Sequence, residues 1–124
     1  MLFELSRDIY RTIKIDAQNN IGDTPLHSVL RFDNSRLVEW LLRKGASSNL
    51  ANAWGQTPLH VICNRQYTAD DLAELFFMTS EEIRRPVQVN AQTKLGDSPL
   101  HLALDKGHKR LAESLLRRGA DRLR

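Results

Sequence analysis

The chain has 124 residues, enough for one domain with a single hydrophobic core. Apolar residues make up 41% of it and charged residues 27%, a globular balance that excludes a disordered chain. The net charge of +3 is too small to indicate a nucleic-acid partner, and no apolar run approaches the roughly 20 residues that cross a bilayer. A single cysteine, Cys63, cannot form a disulfide within the chain, which predicts an intracellular location, cytoplasmic or nuclear.

The first predicted element is an N-terminal helix. Leu2, Leu5, Ile9 and Ile13 recur at helical spacing. We interpret residues 1–15 as a capping helix that covers one edge of the structure that follows.

A six-residue motif then recurs three times. It reads G-D-T-P-L-H at 22–27, G-Q-T-P-L-H at 55–60 and G-D-S-P-L-H at 96–101, so the first glycines are 33 and then 41 residues apart. A second pattern, L-L-R-K-G-A at 41–46, recurs as L-L-R-R-G-A at 115–120. Repeats at such periods indicate a stack of similar units.

Each motif residue has a physical role. The glycine permits a tight turn, the hydroxyl of Thr or Ser caps a helix, and the proline takes the first helical position. The histidine, three residues after the cap, is placed to reach back to it. The pattern predicts helices near Pro25–Arg31 and Ser35–Arg43, with Gly45 and Gly119 ending the second helix of their repeats.

These motifs resemble the ankyrin repeat, which has a period of about 33 residues and a T-P-L-H signature. The resemblance covers nearly the whole chain. It implies an all-α ankyrin-repeat solenoid of antiparallel helix pairs with β-hairpin-like turns, which works by protein–protein interaction. We expect one domain over 1–124, with repeats at 16–48, 49–88 and 89–124.

The middle repeat departs from the pattern near residues 79–86, where eight extra residues appear. Its second helix is predicted to start near Thr68, where T-A-D-D resembles a capping box, and by register to end at Met78–Thr79. Residues 79–85 either extend that helix or start a short new one, and Pro86 ends it. A functional insertion and a tolerated surface insertion both remain open.

Three histidines at one register raise the question of a metal site. Like positions in a solenoid are about 10 Å apart, so His27, His60 and His101 cannot converge on a zinc ion. Ser98 with Asp97 and His101 includes the residue types of a hydrolase triad, but the serine takes a capping position that is Thr in the other copies. We therefore expect no enzymatic activity, no cofactor and no metal site.

Two side chains are interpreted as packing residues. Cys63 aligns with Leu30 and Leu104, a register expected to be buried, so its thiol should be inert. Trp40 stands in place of an aliphatic residue on the second helix of repeat one, and we expect it to pack rather than to bind a partner.

The resemblance implies that binding uses the hairpin tips and the adjoining ends of the first helices. Ile21, Trp54 and Leu95 each precede a turn glycine, so they would form an exposed apolar row, unless they fold back on neighbouring tips. Trp54 is the expected central anchor. The candidate partner-binding residues are Ile21, Asp23, Arg31, Phe32, Trp54, Gln56, Arg65, Lys94, Leu95, Asp97 and Lys106.

Two alternatives concern the end of the chain. Residues 105–124 hold seven basic and three acidic residues, but no aromatic to stack on a base, so we do not favour binding to nucleic acid or to an acidic membrane. The last repeat shows no polar cap. The chain is therefore either an excerpt, such as a recruiting part of a larger signalling or ubiquitin-ligase assembly, or its C-terminal face docks a partner.

Overall fold

The computed structural model describes residues 14–32, 34–67 and 69–120, which form six helices and no strand. In chain order the helices are α1 (Pro25–Leu30), α2 (Ser35–Arg43), α3 (Pro58–Cys63), α4 (Asp70–Glu82), α5 (Pro99–Asp105) and α6 (Lys109–Arg117). Each repeat contributes one pair, and the turns between pairs carry the glycines of the repeated motif.

The first helix of every repeat begins with a capping box, as the motif predicts. The Thr24 hydroxyl accepts a hydrogen bond from the His27 backbone N–H (3.3 Å), and His27 Nδ1 accepts one from the Thr24 N–H (3.1 Å). The same reciprocal pair recurs in the other two repeats, each with proline just after the cap. The histidines therefore close the helix starts, which confirms their predicted role.

The second helices of repeats one and three end at glycines with positive φ. Helix α2 has the predicted bounds and is capped by Asn34, whose side chain accepts from the Leu37 N–H (3.1 Å). Gly45 and Gly119, just beyond α2 and α6, have φ of 104° and 97°, a conformation that costs other residues about 1–2 kcal/mol.

The helices stack in two layers. The inner layer consists of α1, α3 and α5, and the outer layer of α2, α4 and α6; each helix packs on its neighbours within the layer and on its pair partner. The core between the layers rests mainly on aliphatic side chains, each worth about 1.5–3 kcal/mol when fully buried. Its largest fully buried members include Leu26, Leu30, Leu42, Leu59, Ile62, Phe76, Leu111 and Leu115.

Helix α4 accommodates half of the insertion by being longer than its counterparts. It has 13 residues, against nine in α2 and in α6, so four of the eight extra residues extend the helix rather than start a new one. It ends at Glu82, four residues before Pro86. Between the two, Arg84 takes a positive φ of 60°. At its start, Ala69 occupies the cap position without a side-chain hydrogen bond.

Several predicted features fall outside the described residues. These are the N-terminal helix over residues 1–13, Thr68 as a cap, and the end of repeat three beyond residue 120. Residues 14 and 15 are described, and they belong to a turn closed by the hydrogen bond from the Ala17 N–H to the Lys14 carbonyl (3.0 Å).

The packing prediction for Trp40 holds only in part. The side chain is 41% exposed on α2, so more than half of it is covered, and the Lys44 ammonium lies 5.9 Å from the centre of its ring. Helical register put Trp40 beside buried positions, but the residue lies at the edge of the apolar face of α2, where a large ring extends into solvent.

Candidate functional site

The tips of the three repeats are shaped by a polar side chain three residues before each glycine. The Asn19 side-chain oxygen accepts from the backbone N–H groups of Ile21 (3.1 Å) and Asp23 (3.0 Å). Asn52 holds the second tip in the same way, and the Thr93 hydroxyl accepts from Asp97 in the third. These residues were not predicted as structural from the sequence, although their common register before the glycines is a usable signal.

Neighbouring tips are joined through their backbones. The Ala53 N–H donates to the Ile21 carbonyl, and the Lys94 N–H donates to the Trp54 carbonyl, both at 2.9 Å. The glycines allow this close approach, since a Cβ on Gly22 would lie 2.7 Å from the Ala53 nitrogen. The tips therefore form one continuous edge rather than three separate loops.

Three apolar side chains lie along this edge and reach solvent. Ile21 is 39% exposed, Trp54 53% and Leu95 90%. We call these three residues the tip row. Exposure increases toward the third tip, because a following tip partly covers Ile21 and Trp54. Leu95 is thus almost fully exposed, whereas Ile21 and Trp54 are partly covered.

Next to the tip row lies the inner surface, formed by the exposed side of α1, α3 and α5 and the turns after them. Phe32 is exposed there, as is Tyr67, an aromatic that sequence analysis did not single out. Between repeats one and two the inner surface holds a hollow of about 290 Å³. Its lining residues are Arg31, Gln56, Val61, Asn64, Arg65, Gln66 and Tyr67.

The predicted contact residues fall into two groups. Outside the tip row, Arg31, Phe32, Lys94 and Lys106 are exposed, and Gln56 and Asp97 are partly buried. The backbone carbonyls of Gln56 and Asp97 are engaged, since they accept hydrogen bonds from Nε2 of His27 (2.8 Å) and of His60 (2.9 Å).

Asp23 and Arg65 require correction, because both are buried. The Asp23 carboxylate pairs with Arg31 and accepts from Asn52 Nδ2 of the next repeat (3.0 Å). Burial acts to raise the pKa of Asp23, but the hydrogen bonds from Arg31 and Asn52 outweigh it and hold that pKa below its usual value. The Asp23 side chain therefore serves the joint between repeats one and two more than a surface contact. For Arg65 it is the backbone carbonyl that joins repeats, since it accepts a hydrogen bond from His108 Nε2 (2.7 Å).

The ring nitrogens of His27 and His60 are all engaged in structural hydrogen bonds. Each of His27 and His60 accepts at Nδ1 from its own cap residue and donates from Nε2 to the next repeat, which fixes a neutral tautomer. Burial lowers the pKa of both, and in the described ranges no three His, Cys, Asp or Glu side chains are grouped so as to hold a metal ion.

The other side chains that could act as nucleophiles are also hydrogen-bonded or buried. The Ser98 hydroxyl accepts from the His101 backbone N–H (3.2 Å) as part of its capping box. Cys63 is fully buried in α3, and burial raises the pKa of its thiol. Both placements agree with the roles inferred from the sequence.

The extended end of α4 connects the outer layer across all three repeats. Glu82 pairs with Arg43 of α2, and Arg85 Nη1 donates to the Gly45 carbonyl (2.9 Å). On the other side, Glu81 pairs with Arg118, whose guanidinium also lies 4.1 Å from the centre of a phenylalanine ring of α4. Charged side chains of the insertion thus form ion pairs and hydrogen bonds between repeats, and Arg118 of the basic C-terminal segment takes part in them.

The fold and the tip row define a class of protein: a helical repeat stack built to present a surface to another protein. A family model described as ankyrin repeats (3 copies) matches residues 5–77 and 26–123. The chain belongs to the ankyrin-repeat family. Ankyrin repeats are protein–protein interaction modules, so protein binding is the function of this chain.

Proteins similar to this chain include two inhibitors of NF-kappa-B. The epsilon inhibitor of Homo sapiens is 36% identical over 111 residues, which cover 86% of this chain and 22% of that protein. The alpha inhibitor of Mus musculus is 31% identical over 107 residues, covering 86% of this chain and 33% of that protein. An inhibitor of apoptosis of Vaccinia virus is 30% identical over 88 residues, covering 69% and 17%. The chain thus spans at most a third of these relatives. None of its described helices is long and apolar enough to cross a membrane.

Proposed function

We propose that this chain binds its protein partner through the tip row and the adjoining inner surface. The observation that carries the proposal is the exposure of three apolar side chains, Ile21, Trp54 and Leu95, at one register on linked tips. Apolar side chains that face water at the tips are unfavourably hydrated. Covering them with a partner lowers the free energy. Tryptophan is among the residue types most enriched in binding hot spots, which makes Trp54 the central anchor.

The tip row is also prepared for binding before a partner arrives. The backbone hydrogen bonds between tips, and those from Asn19 and Asn52 within them, hold the row in place. Little conformational entropy then has to be lost on association, so more of the contact energy appears as affinity.

The similarity to two NF-kappa-B inhibitors supports a partner of the NF-kappa-B class. Both alignments cover 86% of this chain and therefore include all three tips or most of them. In this proposal the chain acts by occupying a surface of its partner, without catalysis, cofactor or metal, in an intracellular compartment where Cys63 stays reduced.

Isothermal titration of the chain with purified NF-kappa-B tests the proposal. Trp54→Ala should weaken binding by about 2 kcal/mol or more, roughly 30-fold in Kd. Trp40→Ala is the matched control, because it removes the same side chain from an exposed position on α2, in the outer layer, and should change the binding free energy by less than about 0.5 kcal/mol.

The two parts of the proposal fail in different ways. A wild-type chain that does not bind NF-kappa-B would rule out that partner class. Tight binding that Trp54→Ala leaves unchanged would keep the partner and rule out the tip row as the contact.

A further inference from the structure

The insertion in repeat two creates a hollow in the outer layer, where repeats two and three meet. Helix α4 and the segment that follows it line this hollow together with one side chain of repeat three, and its volume is about 290 Å³. We call it the insertion hollow. Its lining residues are Phe77, Ser80, Glu81, Arg85, Pro86, Val87, Val89 and Arg118.

A strained turn connects α4 to the rest of this lining. Arg84 has a φ of 60°, in the left-handed region that favours glycine. The turn is closed by the Arg85 N–H, which donates to the Ser80 carbonyl (2.9 Å). Strain of this kind persists where the surrounding structure imposes it, and it is concentrated at functional sites. The turn therefore favours a functional insertion over a tolerated one.

The interior of the insertion hollow is apolar apart from one hydroxyl. Phe77 is buried there, and Val87 and Val89 are partly buried. Ser80 is 1% exposed, and its Oγ has no hydrogen-bond partner among the described residues. A buried hydroxyl without a partner raises the free energy of the folded chain. A ligand that brought a hydrogen-bonding group into this apolar space would remove that penalty.

The side chains at the rim of the insertion hollow can move apart. Glu81 and Arg85 are exposed, and Glu81 pairs with Arg118 at the surface. An ion pair at the surface contributes little to stability, so separating its members costs little free energy. We therefore expect a ligand side chain to reach Ser80 from solvent while α4 stays folded.

We propose that the insertion hollow binds a tyrosine side chain of a partner protein. Tyrosine has an apolar ring and a polar tip. The ring would contact Phe77 and the two valines, and the phenol hydroxyl would form a hydrogen bond with Ser80 Oγ. This site lies in the outer layer and does not include the tip row.

The size and chemistry of the insertion hollow select this side chain over other ligands. Pockets for small molecules usually measure roughly 300–1,000 Å³, so this one, at about 290 Å³, suits a single large side chain. Phenylalanine would fill the same space but would leave the Ser80 hydroxyl without a partner. Lysine or arginine would bring a charge into an apolar lining, which is costly.

An NMR titration of the isotope-labelled chain with N-acetyl-tyrosinamide tests the proposal. The matched control ligand is N-acetyl-phenylalaninamide, which lacks only the hydroxyl. The tyrosine compound should shift the backbone amide signals of Ser80, Val87 and Val89. It should bind at least about threefold more tightly than the control, which is the difference expected for one hydrogen bond.

Ser80→Ala tests the hydroxyl directly. The variant should bind the two ligands equally, and it should unfold at a higher urea concentration than the wild type, since a buried hydroxyl without a partner is removed. Ser35→Ala is the control, because it removes an exposed hydroxyl from α2 and should keep the preference for tyrosine. Trp54→Ala should also keep it, so the test is independent of the tip row.

Four results would each overturn the proposal. One is the absence of shifts around the insertion hollow at ligand concentrations up to about 20 mM, well above the Kd expected of so small a ligand. Another is equal binding of the two ligands by the wild type. The third is a preference for tyrosine that survives Ser80→Ala. The fourth is a lower urea midpoint in Ser80→Ala, which would show that the hydroxyl already stabilises the free chain.

Discussion

Replacing Gly55 with alanine should destabilise the protein more than the same change at Gly107. The two glycines have nearly equal φ values, +80° and +76°, so both variants bear a similar left-handed strain of about 1–2 kcal/mol. Their surroundings differ. A Cβ on Gly55 would lie 2.8 Å from the Lys94 nitrogen and 3.1 Å from the Thr93 Cα, whereas a Cβ on Gly107 meets nothing within 4 Å.

The extra cost follows from the distance by which the tips must separate. Non-bonded contacts are most favourable at about 3.5 Å or more, so the third tip would have to move away by roughly 0.7 Å. That movement strains the hydrogen bond from the Lys94 N–H to the Trp54 carbonyl, now 2.9 Å, worth about 0.5–1.5 kcal/mol. With about 1–3 kcal/mol for overpacking, Gly55→Ala should cost up to about 4.5 kcal/mol, and at least about 1.5 kcal/mol, more than Gly107→Ala.

Urea unfolding followed by far-UV circular dichroism measures the difference, provided that both variants show the wild-type m value. Equal losses in the two variants would refute the reasoning, because only the contact between tips distinguishes them. Gly55→Ala should also impair partner binding, since Trp54 lies on the displaced edge.

Three further outcomes are expected. Burial lowers the pKa of His27 and His60 below 6.5 in the folded protein, so in acid the unfolded chain binds more protons than the folded one. The Tm should therefore fall as the pH decreases below about 6.5. Above that pH, these two histidines should not affect the Tm. Thermal melts between pH 8 and pH 5 check this, and a constant Tm would contradict it. Arg118→Ala should lower the free energy of unfolding by about 1 kcal/mol, through lost ion pairs and the aromatic contact, against less than about 0.5 kcal/mol for the exposed Arg36→Ala. Cys63 should react with a thiol reagent only in denaturant, and rapid labelling of the native protein would show that α3 is accessible.

The local structure was largely readable from the sequence because its determinants are local. A hydroxyl, a proline and a histidine within four residues specify a capped helix start, and the structure shows that start in all three repeats. The glycine at 45 ended α2 as predicted for the same reason. These interactions involve neighbours in sequence, so no knowledge of the tertiary packing was needed.

Features that depend on distant residues were not readable in the same way. Asp23 has the register of a surface tip residue, and its burial follows from Asn52, a partner 29 residues away. The choice between a longer α4 and a new helix depended on Arg43 and Arg118, which pair with the added turn from two other repeats. Leu104 shows the converse, since its register predicts burial that no described residue provides.

The hydrogen bonds that His27 and His60 make between repeats run in one direction along the stack. His27 donates to a carbonyl of repeat two and His60 to one of repeat three, so each helix start is completed by the repeat that follows it. Unravelling of a later repeat would deprive the earlier one of its acceptor, and the loss would pass toward the N-terminus. The stability of each repeat therefore depends in part on the repeat that follows it. A ligand that stabilises the third repeat would also stabilise the first two without touching them.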